Sequence, residues 1–167
     1  SAYACSFFLE YAMISGFPLH TICLVADEYA PLIRQFGQLD AEFNIETIGS
    51  WAKWLSQSMD EPPAMTAKIA CRPIFATSIH PIYGALSTFL VGDIRAALDL
   101  VQEAEKNIES SRGMPRYFVF HFICVTVYSI AVRLNLISTE VVKPKITAYL
   151  ESLHEWMTVS ADNWHAQ

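Results

Sequence analysis

The chain has 167 residues and a net charge of −6 at pH 7, with 53% hydrophobic and only 17% charged residues. This length is ample for a buried core, and we treat residues 1–167 as a single domain. The acidic balance and the dispersed basic residues argue against a nucleic-acid partner, because binding to phosphates requires a basic patch. So low a charged fraction predicts extensive internal packing or contacts with neighbours.

The cysteine pattern points to a reducing compartment. None of the four cysteines is spaced as Cys-x-x-Cys: Cys5, Cys23, Cys71 and Cys124. No signal peptide precedes them, so we expect buried or unreactive thiols in a reducing compartment and a cytoplasmic location. The chain opens with Ser1-Ala2 and no targeting pattern, and we expect it to be a segment of a longer protein.

The first two elements are predicted to be helices. Residues 3–15 are apolar on nearly every side, which indicates a helix packed on more than one face. After a break at residues 15–18, a second helix is expected from Leu19 to Phe36. Pro31 inside this helix should kink or split it near Tyr29-Ala30.

Residues 40–58 give the clearest single helix. Its apolar side chains recur at helical spacing: Ile48, Trp51, Ala52, Leu55 and Met59. We predict that Asp40 caps this helix. Gly49 at its middle costs about 1 kcal/mol against alanine, which predicts a close neighbour at that point. Trp51 and Trp54 could form a ligand box, but core packing is the favoured interpretation.

A helical hairpin is predicted around the turn Gly92-Asp93. Residues 59–65 are expected to form a surface loop or a spacer, and the segment 74–79 is ambiguous between helix and strand. A helix is expected to resume by Ile82. Gly92 suits a tight reversal, and Asp93 is expected to cap the following helix. That helix should end at residues 110–113 with Gly113 just past its last turn.

The segment from Phe118 to Ile130 is rich in β-branched and aromatic residues, which on propensity alone favours a strand. We predict a helix, because no alternating partner strand exists elsewhere. The uncharged run Tyr117–Val132 has 16 residues, fewer than the about 20 that a membrane-spanning helix needs, so we predict a core helix and no membrane span.

A last helix is predicted from an apolar stripe near the end of the chain, with Pro144 close to its start. The stripe comprises Val142, Ile146, Leu150, Leu153 and Met157. The residues that follow, from Ser160 to Asn163, are expected to begin a turn.

The sequence carries no recognisable catalytic or metal-binding constellation, and we predict no catalytic residue, no metal and no cofactor. Histidines are not paired at metal-ligand spacing, and neither a phosphate loop nor a Gly-x-Ser-x-Gly elbow occurs. His121 lies between Phe120 and Phe122 in the most apolar helix. A core histidine is the favoured reading, while a ligand pocket that includes His121 and Tyr128 stays open as the alternative.

The hairpin resembles a tetratricopeptide repeat, which places small residues where two helices cross. The matching packing positions are Ala85, Gly92, Ala97 and Ala104. The match departs from the repeat at Pro81, where an aromatic is usual, and at Glu109, where a proline is usual. This resemblance implies antiparallel helical hairpins, stacked as a right-handed all-α solenoid of six to eight helices.

A second resemblance covers nearly the whole chain. Its blocks are residues 43–55, Phe89-Leu90-Val91-Gly92-Asp93 with the alanines that follow, residues 118–122, Leu153-His154-Glu155-Trp156 and Asn163-Trp164-His165. Together they resemble the helical-repeat region of large multidomain signalling proteins, which carry a serine/threonine-kinase-like domain, an AAA-type predicted ATPase, sensor domains and a histidine kinase. The family's ATP-binding and phospho-accepting motifs lie outside this stretch.

The resulting prediction is a non-catalytic scaffold that relays signals between ATPase and sensor-kinase domains. Its partners would be neighbouring domains of the same chain or another protein. The alternative is a small-molecule-sensing helical domain with an aromatic-lined pocket, and an enzyme is the weakest of the three hypotheses.

Overall fold

The computed structural model describes residues 2–57 and 76–159, which are all-helical, with no strand among them. The seven α-helices of these ranges are α1 (Ala2–Ile14), α2 (Leu19–Gln35), α3 (Leu39–Ser56), α4 (Ala76–Leu90), α5 (Ile94–Glu105), α6 (Pro115–Arg133) and α7 (Thr139–Val159). A short 3-10 helix, Ile108–Ser111, joins α5 to α6. The all-α prediction is confirmed. The predicted loop at 59–65, the apolar residue Met59, Cys71 and the turn after Ser160 lie outside the described residues.

The described helices bury two apolar clusters that α4 joins. The N-terminal core is formed mainly by α1, α2 and α3, and the C-terminal core by α5, α6 and α7. Helix α4 faces both, because Ile79 and Tyr83 pack in the N-terminal core while Ile82 and Ala85 pack in the C-terminal core. Alternate faces of one helix therefore connect the two halves of the protein.

Helix α6 confirms the prediction that residues 118–130 are helical. It packs against α1, α4, α5 and α7. Among the described helices, α6 is the one long and apolar enough to cross a membrane by length and composition, and 56% of its most apolar window is buried inside the protein. These branched and aromatic residues are helical here because neighbouring helices bury one side of α6, so tertiary burial outweighs their strand propensity.

The turn between α4 and α5 has the predicted chemistry. Gly92 adopts φ +86°, a backbone conformation that other residues rarely adopt. The Asp93 carboxylate accepts a hydrogen bond from the backbone N–H of Ala96 at 3.0 Å, so Asp93 is confirmed as the cap of α5.

Helix α2 runs unbroken through Pro31, so of the predicted kink or split near Tyr29-Ala30 the split is wrong. Proline removes one backbone hydrogen bond, but Ala26 and Ile33 on either side of it are buried in the N-terminal core. That packing keeps both halves of the helix in place.

The predicted cap Asp40 is also wrong. Helix α3 begins one residue earlier, at Leu39, and its N-cap position is Gln38 without a side-chain cap. Asp40 instead lies in the first turn, where one carboxylate oxygen is buried without a hydrogen-bond partner and burial raises the pKa of the side chain. The chain enters the helix early because Gly37, at φ +64°, completes the reversal from α2.

Helix α5 ends at Glu105, before the predicted end at residues 110–113. The chain then tightens into the 3-10 turn, where the Ser110 hydroxyl donates to the Asn107 carbonyl at 2.7 Å. Such local side-chain bonds compete with α-helix. Gly113, at φ +83°, follows this turn rather than α5.

The packed stripe of α7 differs from the predicted one. Leu150 and Met157 are about half exposed. Tyr149 and Trp156, each one position earlier, pack on the C-terminal core instead. The reason is that large aromatic side chains gain more from burial than leucine or methionine at the neighbouring positions.

Helices α2 and α3 approach closely at Gly49, as predicted from its position in the middle of a helix. A Cβ atom built on Gly49 would lie 2.6 Å from the Cβ of Ala26, a distance that real Cβ atoms do not tolerate. The absence of a side chain at residue 49 therefore sets the spacing of these two helices.

We expect Gly49→Ala to lower the free energy of unfolding. Overpacking against Ala26 should cost about 1–3 kcal/mol, and the higher helix propensity of alanine should offset about 1 kcal/mol of that cost. Urea unfolding followed by circular dichroism measures this change. The exchange variant Ala26→Gly/Gly49→Ala moves the methyl group to the other helix and should recover part of the loss. A double variant no more stable than Gly49→Ala alone would contradict this contact.

Candidate functional site

The predicted repeat-packing positions lie where α4 and α5 meet. Ala85, Ala97 and Ala104 have no exposed surface and belong to the C-terminal core, and Gly92 is in the exposed turn between the two helices. Since alanine adds only a methyl group, these three positions allow the helices to approach closely.

The two residues of the predicted ligand pocket, His121 and Tyr128, both lie on α6 and are both buried. They do not contact each other in the described contacts, but Tyr149 of α7 joins them. Its ring centroid is 5.1 Å from that of His121, and its hydroxyl shares an acceptor with Tyr128. Tyr149 therefore occupies the space beside both residues.

That shared acceptor is Glu105, the last residue of α5. One of its carboxylate oxygens accepts hydrogen bonds from Tyr128 at 2.8 Å and from Tyr149 at 2.7 Å. The other accepts from the Lys145 ammonium at 2.6 Å. We call these four residues the Glu105 cluster. It ties α5, α6 and α7 together at one point, which the sequence did not indicate.

The Glu105 cluster keeps its tyrosines protonated. Burial raises the pKa of Tyr128 and of Tyr149, and the hydrogen bonds to the Glu105 carboxylate raise both further. Nearby Cys124 is fully buried, and burial likewise raises the pKa of its thiol. Neutral phenols and a neutral thiol favour a structural role, because a nucleophilic cysteine needs a lowered pKa.

His121 is uncharged in the folded protein at neutral pH. It is 5% exposed, and burial lowers its pKa. A hydrogen bond with the Tyr117 backbone and the charge of Glu109 raise the pKa, but by less than burial lowers it. Its ring packs edge-on against Tyr117 and Phe120. This aromatic surrounding agrees with the favoured reading as a core histidine.

We expect this histidine to make stability depend on pH. The unfolded chain takes up a proton near the ordinary histidine pKa of about 6.5, whereas folded His121 does so only at lower pH. Stability from this residue is thus complete above about pH 6.5 and is lost as pH falls through the folded pKa. Urea unfolding from pH 8 to pH 5 should show the loss, and His121→Gln should reduce its slope. A pH dependence that His121→Gln leaves unchanged would contradict this assignment.

A buried ion pair is the most unusual feature of the molecule. Arg116 at the start of α6 donates two hydrogen bonds, each 2.8 Å, to the two carboxylate oxygens of Glu10 in α1. Both side chains have zero exposure. A third, longer bond of 3.4 Å runs from Arg116 to the side-chain carbonyl of Asn44 in α3. The pair joins residues 106 positions apart and so fixes α1 against α6.

The Glu10–Arg116 pair lies in a part of the interior from which water is excluded. Burial raises the pKa of Glu10, and Arg116 opposes that shift through its charge and its hydrogen bonds. The Tyr83 hydroxyl is buried without a hydrogen-bond partner, and burial together with the charge of Glu10 raises its pKa. The sequence analysis missed this site. The available signal was that Glu10 is the sole charged residue of an otherwise apolar helix.

An open groove runs between α1 and α2. It encloses about 680 Å³ and is lined mainly by apolar and aromatic side chains, including Tyr3, Tyr29, Leu32 and Phe36. These four side chains are 40–76% exposed. The groove is therefore a surface feature that lies apart from His121 and Tyr128.

The remaining candidate chemistry is sparse within the described part of the chain. No group of three histidine, cysteine or acidic side chains there could hold a metal ion. Of the cysteines, Cys5, Cys23 and Cys124 are free thiols. Trp54 is buried and Trp51 packs edge-on against Tyr83, which agrees with core packing for both tryptophans.

Compared with known proteins, the chain matches no family model, no curated protein and no solved structure. The resemblance to multidomain signalling proteins stays a prediction.

Proposed function

We propose that this chain is a non-catalytic scaffold in the cytoplasm that relays signals between an ATPase domain and a sensor-kinase domain. It would act through contacts with neighbouring domains of the same chain or with a protein partner. The observation that carries this proposal is the α4–α5 pair, whose buried alanines at residues 85, 97 and 104 flank the Gly92 turn.

The proposal includes a finer architecture, in which antiparallel hairpins stack as a tetratricopeptide-like right-handed solenoid. The packing of α2 on α3, α4 on α5 and α6 on α7 supports this arrangement, as do the contacts of α4 with α6. Stacked hairpins transmit small rotations from one repeat to the next, which suits a relay. The ion pair between Glu10 of α1 and Arg116 of α6 is an additional long-range contact. A solenoid does not require such a contact, because each of its repeats contacts only its neighbours.

The small-molecule alternative has weaker support. His121 and Tyr128 do not line an empty cavity, because Tyr149 packs beside both of them. The groove between α1 and α2 is aromatic, but its lining is substantially exposed. Ligand pockets bury about 70–90% of a small molecule, so this groove is better suited to a larger partner.

The first test of the proposal is the flanking sequence of the full-length protein. A phosphate-binding loop upstream and a kinase core downstream are expected, and an open reading frame that encodes neither would contradict it. The second test is functional. In the full-length protein, the dependence of kinase autophosphorylation on ATP hydrolysis upstream should be weakened by Ala97→Leu, which wedges α4 from α5.

A matched control keeps this test specific. Asp99 lies two residues from Ala97 on the same helix and is exposed, so Asp99→Leu adds an apolar side chain without disturbing the crossing. It should leave the coupling intact. If urea unfolding shows that Ala97→Leu destabilises the protein while Asp99→Leu does not, and the coupling nevertheless persists, the relay role is contradicted.

A further inference from the structure

One face of the molecule is apolar, exposed and almost free of charge. It combines the outer surfaces of α1 and α2 with the turn between them, and we call it the α1–α2 face. Its aromatic members are Tyr3, Phe8, Tyr11, Phe17, Tyr29 and Phe36, each 40–76% exposed. Monomeric proteins rarely expose so large a contiguous apolar patch.

These side chains form one surface rather than scattered points. At 100° per residue, Tyr3, Phe8 and Tyr11 span an arc of about 140° on α1. On α2 and its C-cap residue, a similar arc of about 140° is spanned by Leu24, Tyr29, Leu32 and Phe36. The groove lined by Tyr3, Tyr29, Leu32 and Phe36 joins the two arcs, and the rings of Phe8 and Phe17 pack edge-on at 6.2 Å.

The exposed area is the size that a stable dimer requires. At about 200 Å² for a whole aromatic side chain, the exposed parts of the six aromatics amount to about 600 Å². The exposed parts of Leu24, at 66%, and Leu32, at 44%, add to this area. The total approaches the about 800 Å² per partner of a standard protein interface.

The charge pattern of the α1–α2 face indicates which kind of partner binds it. Helix α1 carries one charged residue, Glu10, and it is buried, so the α1 part of this face brings no like charges together when two copies meet. The acidic Glu28 is the single charged residue within the α2 arc. Helices that lie on lipid carry lysine and arginine on their polar side. In α1 and α2 the sole lysine or arginine is Arg34, and Glu42 and Glu46 already bind it at 2.6 and 2.5 Å.

We propose that the α1–α2 face binds a second copy of this chain, so that the protein forms a two-fold dimer through it. A two-fold interface uses the same patch on both subunits, and an apolar, nearly uncharged patch is complementary to itself. This inference concerns self-association and holds whether or not the chain relays signals between other domains.

Sedimentation equilibrium of the 167-residue protein, up to about 1 mM, tests the proposal. We expect a reversible monomer–dimer equilibrium. Leu32→Asp and Phe36→Asp should each raise the dimer Kd by about tenfold or more, since each places a charge in the contact. Both side chains are exposed in the monomer, so circular dichroism should show an unchanged fold. Leu150→Asp on α7 is the matched control, because Leu150 is 49% exposed outside this face and its replacement should leave the Kd unchanged.

A second measurement locates the contact. A photo-crosslinking phenylalanine analogue at Tyr29, in a mixture of ¹⁴N- and ¹⁵N-labelled protein, should yield mixed-isotope crosslinks to residues of α1 or α2. A monomer throughout the concentration range would overturn the proposal, as would a dimer that neither aspartate variant weakens. Binding to phosphatidylcholine–phosphatidylglycerol vesicles by a protein that stays monomeric in solution would overturn it in favour of a lipid surface.

Discussion

Replacing Arg116 by methionine is expected to lower the free energy of unfolding by about 3–5 kcal/mol, the usual cost of breaking a buried pair from one side. The Glu10 carboxylate has zero exposure and would lose both of its 2.8 Å hydrogen bonds. Water cannot replace them while α1 stays packed against α6. Urea unfolding of the purified protein measures the loss.

Two further variants separate the pair from other effects. Arg34→Met makes the same substitution in an ion pair at the surface, where the Arg34 side chain is 62% exposed. Solvent screens an exposed pair, so this control should change the free energy of unfolding far less than Arg116→Met does. The double variant Glu10→Leu/Arg116→Met replaces both charges by apolar groups and should recover most of the loss. A double variant as unstable as Arg116→Met alone would show that the unpaired carboxylate is not the cause.

The loss in Arg116→Met should also depend on pH. Burial already raises the pKa of Glu10, and Arg116 is the group that opposes this shift. Without Arg116, the folded protein holds a proton on Glu10 well above the ordinary glutamate pKa of about 4.3. The folded state then binds more protons than the unfolded state, so the stability of the variant falls as pH rises from about 4.3 through the folded pKa.

The helical pattern of the fold was accessible from the sequence because it is local. Gly92 and Asp93 mark the start of α5 through backbone geometry and a cap, both of which depend on neighbouring residues alone. Gly49 predicted a close contact because glycine in mid-helix is unfavourable unless something approaches it. Where these local rules were outweighed, tertiary packing was the cause, as with Pro31 inside α2.

The candidate site was not accessible in the same way. Glu10 and Arg116 are brought together only by the complete fold, and neither residue belongs to a motif. Helix α1 packs against α2, α3 and α6, as its apolar pattern predicted, but the sequence did not show that Tyr3, Phe8 and Tyr11 are exposed. An apolar surface that awaits a partner has the same composition as a core surface, so the sequence alone does not distinguish them. The sequence offers Tyr128 as a candidate pocket residue, but the acceptor of its hydroxyl, Glu105, lies 23 positions away.

The second large effect is expected at Phe120, and it tests which face of α6 lies in the core. Phe120 has no exposed surface, and its ring centroid is 5.5 Å from that of Tyr149 in α7. Phe120→Ala should cost about 3–5 kcal/mol, because the removed ring leaves a cavity that the packed neighbours fill only in part.

Phe122, two residues along the same helix, is the matched control. It is 54% exposed, so Phe122→Ala removes the same atoms from a largely solvated position and should cost less than about 1 kcal/mol. The contrast between the two variants, measured by urea unfolding, reports directly on the orientation of the helix. Equal losses would mean that α6 is surrounded on all sides, whether by lipid or by a partner, and not packed with one face in this core. A large loss for Phe120 alone would show that the most apolar segment of the chain folds as the centre of a helical domain in water.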